Sequence, residues 1–245
     1  MSLVFSNTTT KNGLIQVCER RCDFPDGAIS GNSTLLSQFT GDINIALDKV
    51  FSIIFEVGGT WQFDDSNHTN YPIITTNIVE GQRDYSFTAD GSSNLILDIY
   101  KVQVADSTGL FYDLTPVDQQ SYAPTGYTDG LLTEGLPNTY DKTANGIFLD
   151  PIPNYSRASA LKVFINREGS YFSTSDTTKK PGFAGLFHSY LALYASYYYS
   201  IDKRKKNKDD LKNEILELEE GIKNHYKARE KDNNKSIIPR SNNPR

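Results

Sequence analysis

The sequence predicts an α+β chain. Helices from both ends form a helical bundle, a β-rich antiparallel sandwich or meander is inserted between them, and an extended tail closes the chain. Three patterns support this expectation. Leu36, Phe39, Ile43, Leu47, Val50, Phe51 and Ile54 recur at helical spacing, as in a helix with one buried face. From Thr60 to Glu168 the pattern changes to short β-type runs divided by Gly, Pro, Asn and Asp. From Phe183 onward, aromatic and aliphatic residues return to helical spacing. The expected division is 1–59 for the N-terminal helices, 60–180 for the β-rich insertion, 181–230 for the C-terminal helices and 231–245 for the tail.

The elements follow in order. Residues 1–12 are polar and Thr-rich and read as a loose arm. Leu14, Val17, Cys18 and Cys22 suggest a short helix between Gly13 and Asp23, ended by the turn Phe24-Pro25-Asp26-Gly27. Ser33 or Thr34 is the expected N-cap of the long helix, and Gly58-Gly59 its stop. Gly41 inside it costs roughly 1 kcal/mol relative to Ala, which the length of the apolar stripe outweighs.

Expected strands are Ile73–Val79, Tyr85–Thr88, Leu95–Val104, Phe111–Leu114, Ile147–Leu149 and Ala160–Arg167. In the last, Leu161, Val163 and Ile165 alternate with Lys162, Phe164 and Asn166, the period of a sheet strand. Residues 115–146, with Pro116, Pro124, Gly126, Gly130, Gly135 and Pro137, show no convincing strand and read as a long loop. Long ordered loops are often contact surfaces. Pro151 and Pro153 lack an N–H and close the strand before them. After the polar loop Ser173–Lys180, Pro181 opens the aromatic helix with Phe183, Phe187, Tyr190, Leu191, Tyr194, Tyr198 and Ile201 on its stripe. A basic break, Lys203 to Lys208, leads to a last helix ending near Arg229. Its seam of Leu211, Ile215, Leu218 and Ile222 is narrow and needs a partner, either the aromatic helix or another chain. In the tail, Ile237-Ile238-Pro239-Arg240 looks like an extended peptide that orders on a partner.

Composition narrows the function classes. A chain of 245 residues buries roughly 70–75% of its unfolded surface and needs no disulfide or metal staple. A net charge of −5 speaks against a general nucleic-acid coat, though it is compatible with a channel through which DNA slides. Fifteen Tyr against one Trp suggest many half-buried rings with wet hydroxyls. The expectation is of no signal peptide and no membrane span.

Chemistry is sparse. No phosphate-binding glycine loop, nucleophile elbow or zinc-protease motif occurs. Cys18 and Cys22 share a helix face, but His68, His188 and His225 are scattered, so small packed residues are expected rather than a metal site. Asp64 to His68 and Asp90 to Asn94 read as polar turns. His188 either pairs with Asp176 as an acid–base couple or, more in keeping with its place on the stripe, is a hydrogen-bonded core residue. Glu80 and Asp84 flank a turn and read as solvated rather than as a glycosidase pair. The Lys203–Lys208 run lacks the interleaved aromatics of a single-strand platform. No cofactor and no enzymatic activity are expected.

The order of the pieces resembles a known family. An aromatic near Leu136-Pro137, a strand ending in Asp150-Pro151-Ile152-Pro153, a strand ending in Arg167, a Ser/Thr/Asp loop, Pro181 and an aromatic helix with His188 succeed one another. Upstream, Glu80-Gly81-Gln82-Arg83-Asp84-Tyr85-Ser86-Phe87 precedes the strand from Ile96. From Ser33 to Ser200 this is similar to the head-to-tail adaptor, or connector, proteins of tailed bacteriophages. The resemblance implies a structural virion protein of the neck: a closed ring of about twelve copies beneath the portal, extending the DNA channel and receiving the tail. It implies made-in-cytoplasm assembly into the virion, with a helical bundle lining the ring and the β part facing outward. Its partners would be the portal protein, tail or second neck-ring proteins, further copies of itself, and passing double-stranded DNA without sequence-specific binding. Portal contact would then fall to Leu211, Ile215, Leu218, Ile222, Ile237, Ile238 and Arg240, and tail or subunit contact to Tyr122, Tyr127 and Leu131. Another neck or tail protein, or a carbohydrate-binding β-sandwich using Trp61 and tyrosines, are the other readings left open.

Overall fold

The computed structural model describes residues 2–58, 73–89, 95–118, 133–143 and 146–230. The chain has both helices and mainly antiparallel sheets, and it divides into two compact units. One unit joins Met1–Ser66 to Tyr171–Arg245, and the other is Asn67–Ser170.

The first unit is helical: α1 (Leu14–Arg21), α2 (Ser33–Gly58), α3 (Ser189–Asp202) and α4 (Lys208–Glu230). The stripe of α2 is buried as its spacing requires, with Phe39, Ile43, Leu47, Val50 and Ile54 in the core. Its cap lies one residue earlier than expected. Asn32 Oδ1 accepts from the N–H groups of Thr34 (3.0 Å) and Leu35 (3.1 Å), because a short side-chain carbonyl ahead of the first turn satisfies its orphan donors. Gly13 leads into α1. A Cβ there would stand 2.2 Å from Gln16 Oε1 and 2.5 Å from the Asn7 nitrogen, so only glycine admits the Gln16–Asn7 hydrogen bond of 2.7 Å.

Three expectations are corrected in this unit. The N-terminal arm is not loose. Phe5 is fully buried, stacks on Phe172 at 5.0 Å and donates its N–H to Lys179 O at 2.8 Å. The segment from Tyr171 therefore belongs with the helices, so the β insertion stops at Ser170 rather than at residue 180. Pro181 does not open α3 either. Gly182 takes φ +84, which breaks any helical start. Phe183 and Ala184 turn into the core, a short 3-10 turn spans Gly185–Phe187, and α3 begins at Ser189.

The second unit contains β1 (Ile73–Ile78), β2 (Asp84–Ser86), β3 (Ile96–Ala105), β4 (Phe111–Asp113), β5 (Thr115–Pro116), β6 (Glu134–Gly135), β7 (Thr139–Thr143), β8 (Gly146–Asp150), β9 (Ile152–Pro153) and β10 (Arg157–Arg167). They form one sheet in the order β1-β10-β3-β4, a second in the order β2-β8-β7-β5, and the short pair β6-β9. Val102, Val104, Leu161, Val163 and Ile165 of the first sheet share a hydrophobic cluster with Tyr85, Tyr140, Ile147 and Leu149 of the second. The six expected strands are present. The reading of residues 115–146 as strandless is corrected by β5, β6 and β7. Thr139-Tyr140-Asp141-Lys142-Thr143 is almost wholly polar, so hydropathy hides it. Pairing with β8 and the burial of Tyr140 (2% exposed) hold it in the sheet.

Candidate functional site

The α4 seam has a partner in its own chain. Leu211 (3% exposed), Ile215 (5%) and Ile222 (0%) enter the same core cluster as the buried faces of α2 and α3, and Leu218 packs half-buried against it. Glu219 Oε1 accepts from the Tyr190 hydroxyl at 2.8 Å across the α3–α4 contact. The expectation of a seam open to portal is thus corrected for Leu211, Ile215 and Ile222: a side chain enclosed on all sides has no surface to offer a second protein. Leu216 lies on the exposed side of α4 at 52%. The remaining expected contacts, Ile237, Ile238 and Arg240 in the tail and Tyr122, Tyr127 and Leu131 in the long loop, lie outside the described residues. So do Trp61, Asp64 to His68 and Asp90 to Asn94.

The groups with chemical potential are built into the fold. Cys18 and Cys22 are free and buried, and their thiols face Ala192 O (3.5 Å) and Ser196 O (4.0 Å) of α3. Burial pushes both thiols above their ordinary range, Cys22 adds to the effect at Cys18, and a hydrogen bond with Ser196 opposes it. Such thiols are poor nucleophiles and poor metal ligands. His188 is fully buried. Its Nε2–H donates to Phe183 O at 2.8 Å while Nδ1 accepts the Leu3 N–H at 3.0 Å, the tautomer that serves both partners. Asp176 accepts instead from the Ser173 N–H at 2.8 Å and pairs with Lys179 at 3.6 Å, so no His188–Asp176 couple forms. No group of three or more His, Cys, Asp and Glu side chains that could hold a metal gathers among the described residues.

Several tyrosine hydroxyls are bonded within the protein rather than left to solvent. Tyr190 reaches Glu219, Tyr194 meets Tyr198 at 3.2 Å, Tyr171 donates to Asp48 at 2.7 Å, and Tyr155 donates to Ala105 O at 2.7 Å. Burial raises the Tyr190 and Tyr194 hydroxyls far above the ordinary phenol range, with Glu219 and Tyr198 respectively adding to it. Tyr190 is therefore a neutral donor that ties α3 to α4, while the Tyr194–Tyr198 contact lies within α3. The basic break is anchored in the same manner. The Lys205 ammonium donates to Cys22 O and lies over the rings of Tyr199 (5.4 Å) and Phe24 (5.7 Å). Lys203, Arg204, Lys206 and Lys208 stay exposed.

Among the described residues, two surfaces of the β unit are open. On the first sheet, register places Ile73, Phe164 and Lys101 in one row and Thr75, Lys162, Gln103 and Asp113 in the next. Lys162 stands 3.7 Å above the Phe111 ring, and Lys101 stands 5.5 Å above Phe164. Asp113 accepts from Gln103 at 2.7 Å and pairs with Lys101 at 3.0 Å, which hold its carboxyl below the usual range. The second surface is a cleft of about 430 Å³ lined by Phe87, Leu95, Leu97, Ile99, Lys142 and Gly146 among others. Lys142 is held there by Asp98 (3.1 Å) and Ile99 O (3.0 Å). The alternation of Lys162 and Phe164 was legible in the sequence. The cleft was not, because Lys142 lies in the strand that hydropathy hides. No known family model matches this chain, and no curated protein matches it.

Proposed function

We propose that this chain is a structural neck protein of a tailed-bacteriophage virion, a head-to-tail adaptor that forms a ring under the portal, extends the DNA channel and receives the tail. The single observation that supports it is the division of the chain. A helical unit assembled from both ends and a β-rich unit inserted between them follow the same order as the resemblance over Ser33 to Ser200. On this reading the four helices are a bundle and the two four-stranded sheets a sandwich. Lys, Asp and Tyr side chains engaged in internal contacts, rather than a reactive set, suit a part whose work is attachment. The portal contact then rests on the tail, with Ile237, Ile238 and Arg240, and on the outer side of α4 rather than on its seam. Tyr122, Tyr127 and Leu131 serve the tail or subunit contact.

Electron microscopy of the particle tests the reading. Closed rotational density at the neck that fits both units is the expected result, and density confined to a receptor-binding fibre overturns it. Co-sedimentation with purified portal tests the tail. Ile237→Asp with Ile238→Asp should abolish co-sedimentation while the melting temperature stays unchanged, and undiminished binding sinks that assignment.

A further inference from the structure

The edges of the two four-stranded sheets are unequal. In the second sheet, β2 is three residues long and begins with Asp84, while β5 is two residues long and ends in Pro116. In the first sheet, β4 is also three residues long, but the charge of its Asp113 is matched within the sheet by Lys101. Short length, charge and proline are the means by which proteins blunt a free edge. The remaining edge, β1, has none of these three, and its one irregularity is a register shift between Thr76 and Ile78 near its end. Ile73-Ile74-Thr75-Thr76-Asn77-Ile78 is six residues long, uncharged and free of proline, and among the described residues no strand lies on its outer side. Its Ile and Thr residues favour the extended, pleated backbone.

We propose that β1 pairs with β4 of a second copy of this chain, so that the first sheet runs on from one subunit to the next. This inference rests on the ring reading above. Three observations select the partner. The pairs β1–β10, β10–β3 and β3–β4 are all antiparallel, so β4 runs opposite to β1 and its placement beside β1 of a neighbour continues the alternation. Register places Thr76, Leu161, Val104 and Tyr112 in one row on the core-facing side of the sheet. Tyr112 nonetheless stands 41% exposed at the end of that row and Leu110 beside it 60%. A strand laid against β4 covers the uncovered end of that row. Third, the Asp113 carboxylate is already engaged by Lys101 and Gln103, so the β4 edge brings no unmatched charge to the neutral β1 edge. A contact between two different edges is heterologous and can close into a ring. Pairing of β1 with itself gives only a two-fold dimer. Each contact is short, and its strength comes from repetition around the ring.

Cysteine cross-linking on full-length chains tests the pairing, because Cys18 and Cys22 are buried and stay silent. Thr75→Cys and Asp113→Cys, exposed positions at the two ends of one outward-facing row of the sheet, are prepared separately and treated with a short bismaleimide, concentrated alone and on purified portal. The expected result is a cross-linked pair when the two variants are mixed and none with either alone. Adding Ile73→Lys to the Thr75→Cys chain should lower the yield about threefold, with an unchanged melt. A link within Thr75→Cys alone shows self-pairing of β1 and overturns the proposal, as does the absence of a mixed link under both conditions. Ring density at the neck without the mixed link sinks the strand pairing and leaves the ring reading standing. A mixed link without neck density does the reverse.

Discussion

Asp42 is a carboxylate that this fold makes uncomfortable, and its replacement by Asn should stabilise the helical unit at neutral pH. Asp42 is half-buried on α2. Burial first, and the charge of Asp202 second, push its carboxyl from the ordinary 3.8 up to about 6. A group whose folded pKa is raised holds its proton better folded than unfolded between those two values. Its contribution is therefore most favourable below the unfolded value and is lost as pH rises towards about 6, where the charged form must be tolerated. The gap from 3.8 to about 6 corresponds to about 3 kcal/mol for a fully enclosed group. With half of the side chain open to water, screening reduces this to about 1 kcal/mol. Asp42→Asn should thus gain about 1 kcal/mol over wild type at about pH 7 and nothing at about pH 4. Denaturant unfolding followed by far-UV circular dichroism across that range measures it. Taking the difference between the two proteins removes other carboxylates. One is Asp106, which hydrogen bonds from Thr108, backbone N–H groups and Tyr112 hold at about 2 and whose slope has the opposite sign. A variant that is less stable than wild type at about pH 7, or equally displaced at both pH values, refutes the reasoning.

Three further outcomes are expected. Ile222→Ala, at a fully buried position, should cost about 3 kcal/mol in denaturant unfolding, whereas Leu216→Ala on the exposed side should change stability by less than about 0.5 kcal/mol; equal effects would mean the seam is not packed. Gly41→Ala meets nothing within 4 Å of the new Cβ and should raise the thermal midpoint through a gain of about 1 kcal/mol. Iodoacetamide should leave Cys18 and Cys22 unmodified in the native protein and label both in denaturant, as intact mass spectrometry will report; fast native labelling would contradict their raised, buried state.

Much of the fold was legible in the sequence because side-chain period reports burial directly. The α2 stripe, the alternation of β10 and the two-position seam of α4 each declared an element and its inner face. His188 read correctly as a core residue because it sits between apolar stripe positions.

What tertiary structure alone decided concerns partners, and a one-dimensional pattern does not name partners. Phe5 is a lone aromatic in a polar arm until Phe172 supplies the ring it stacks on. Residues 171–180 look like the end of a β insertion, yet Phe172 and the Lys179 carbonyl bind the arm and draw the segment into the helical unit. The seam of α4 shows that a helix needs an apolar neighbour, but whether that neighbour is α2 and α3 or another chain depends on where the chain brings them. β7 is polar by composition and becomes a strand through its ladder with β8. Period and punctuation are local properties written residue by residue. Pairing depends on residues far apart in the chain, so it is settled only when folding brings them into contact.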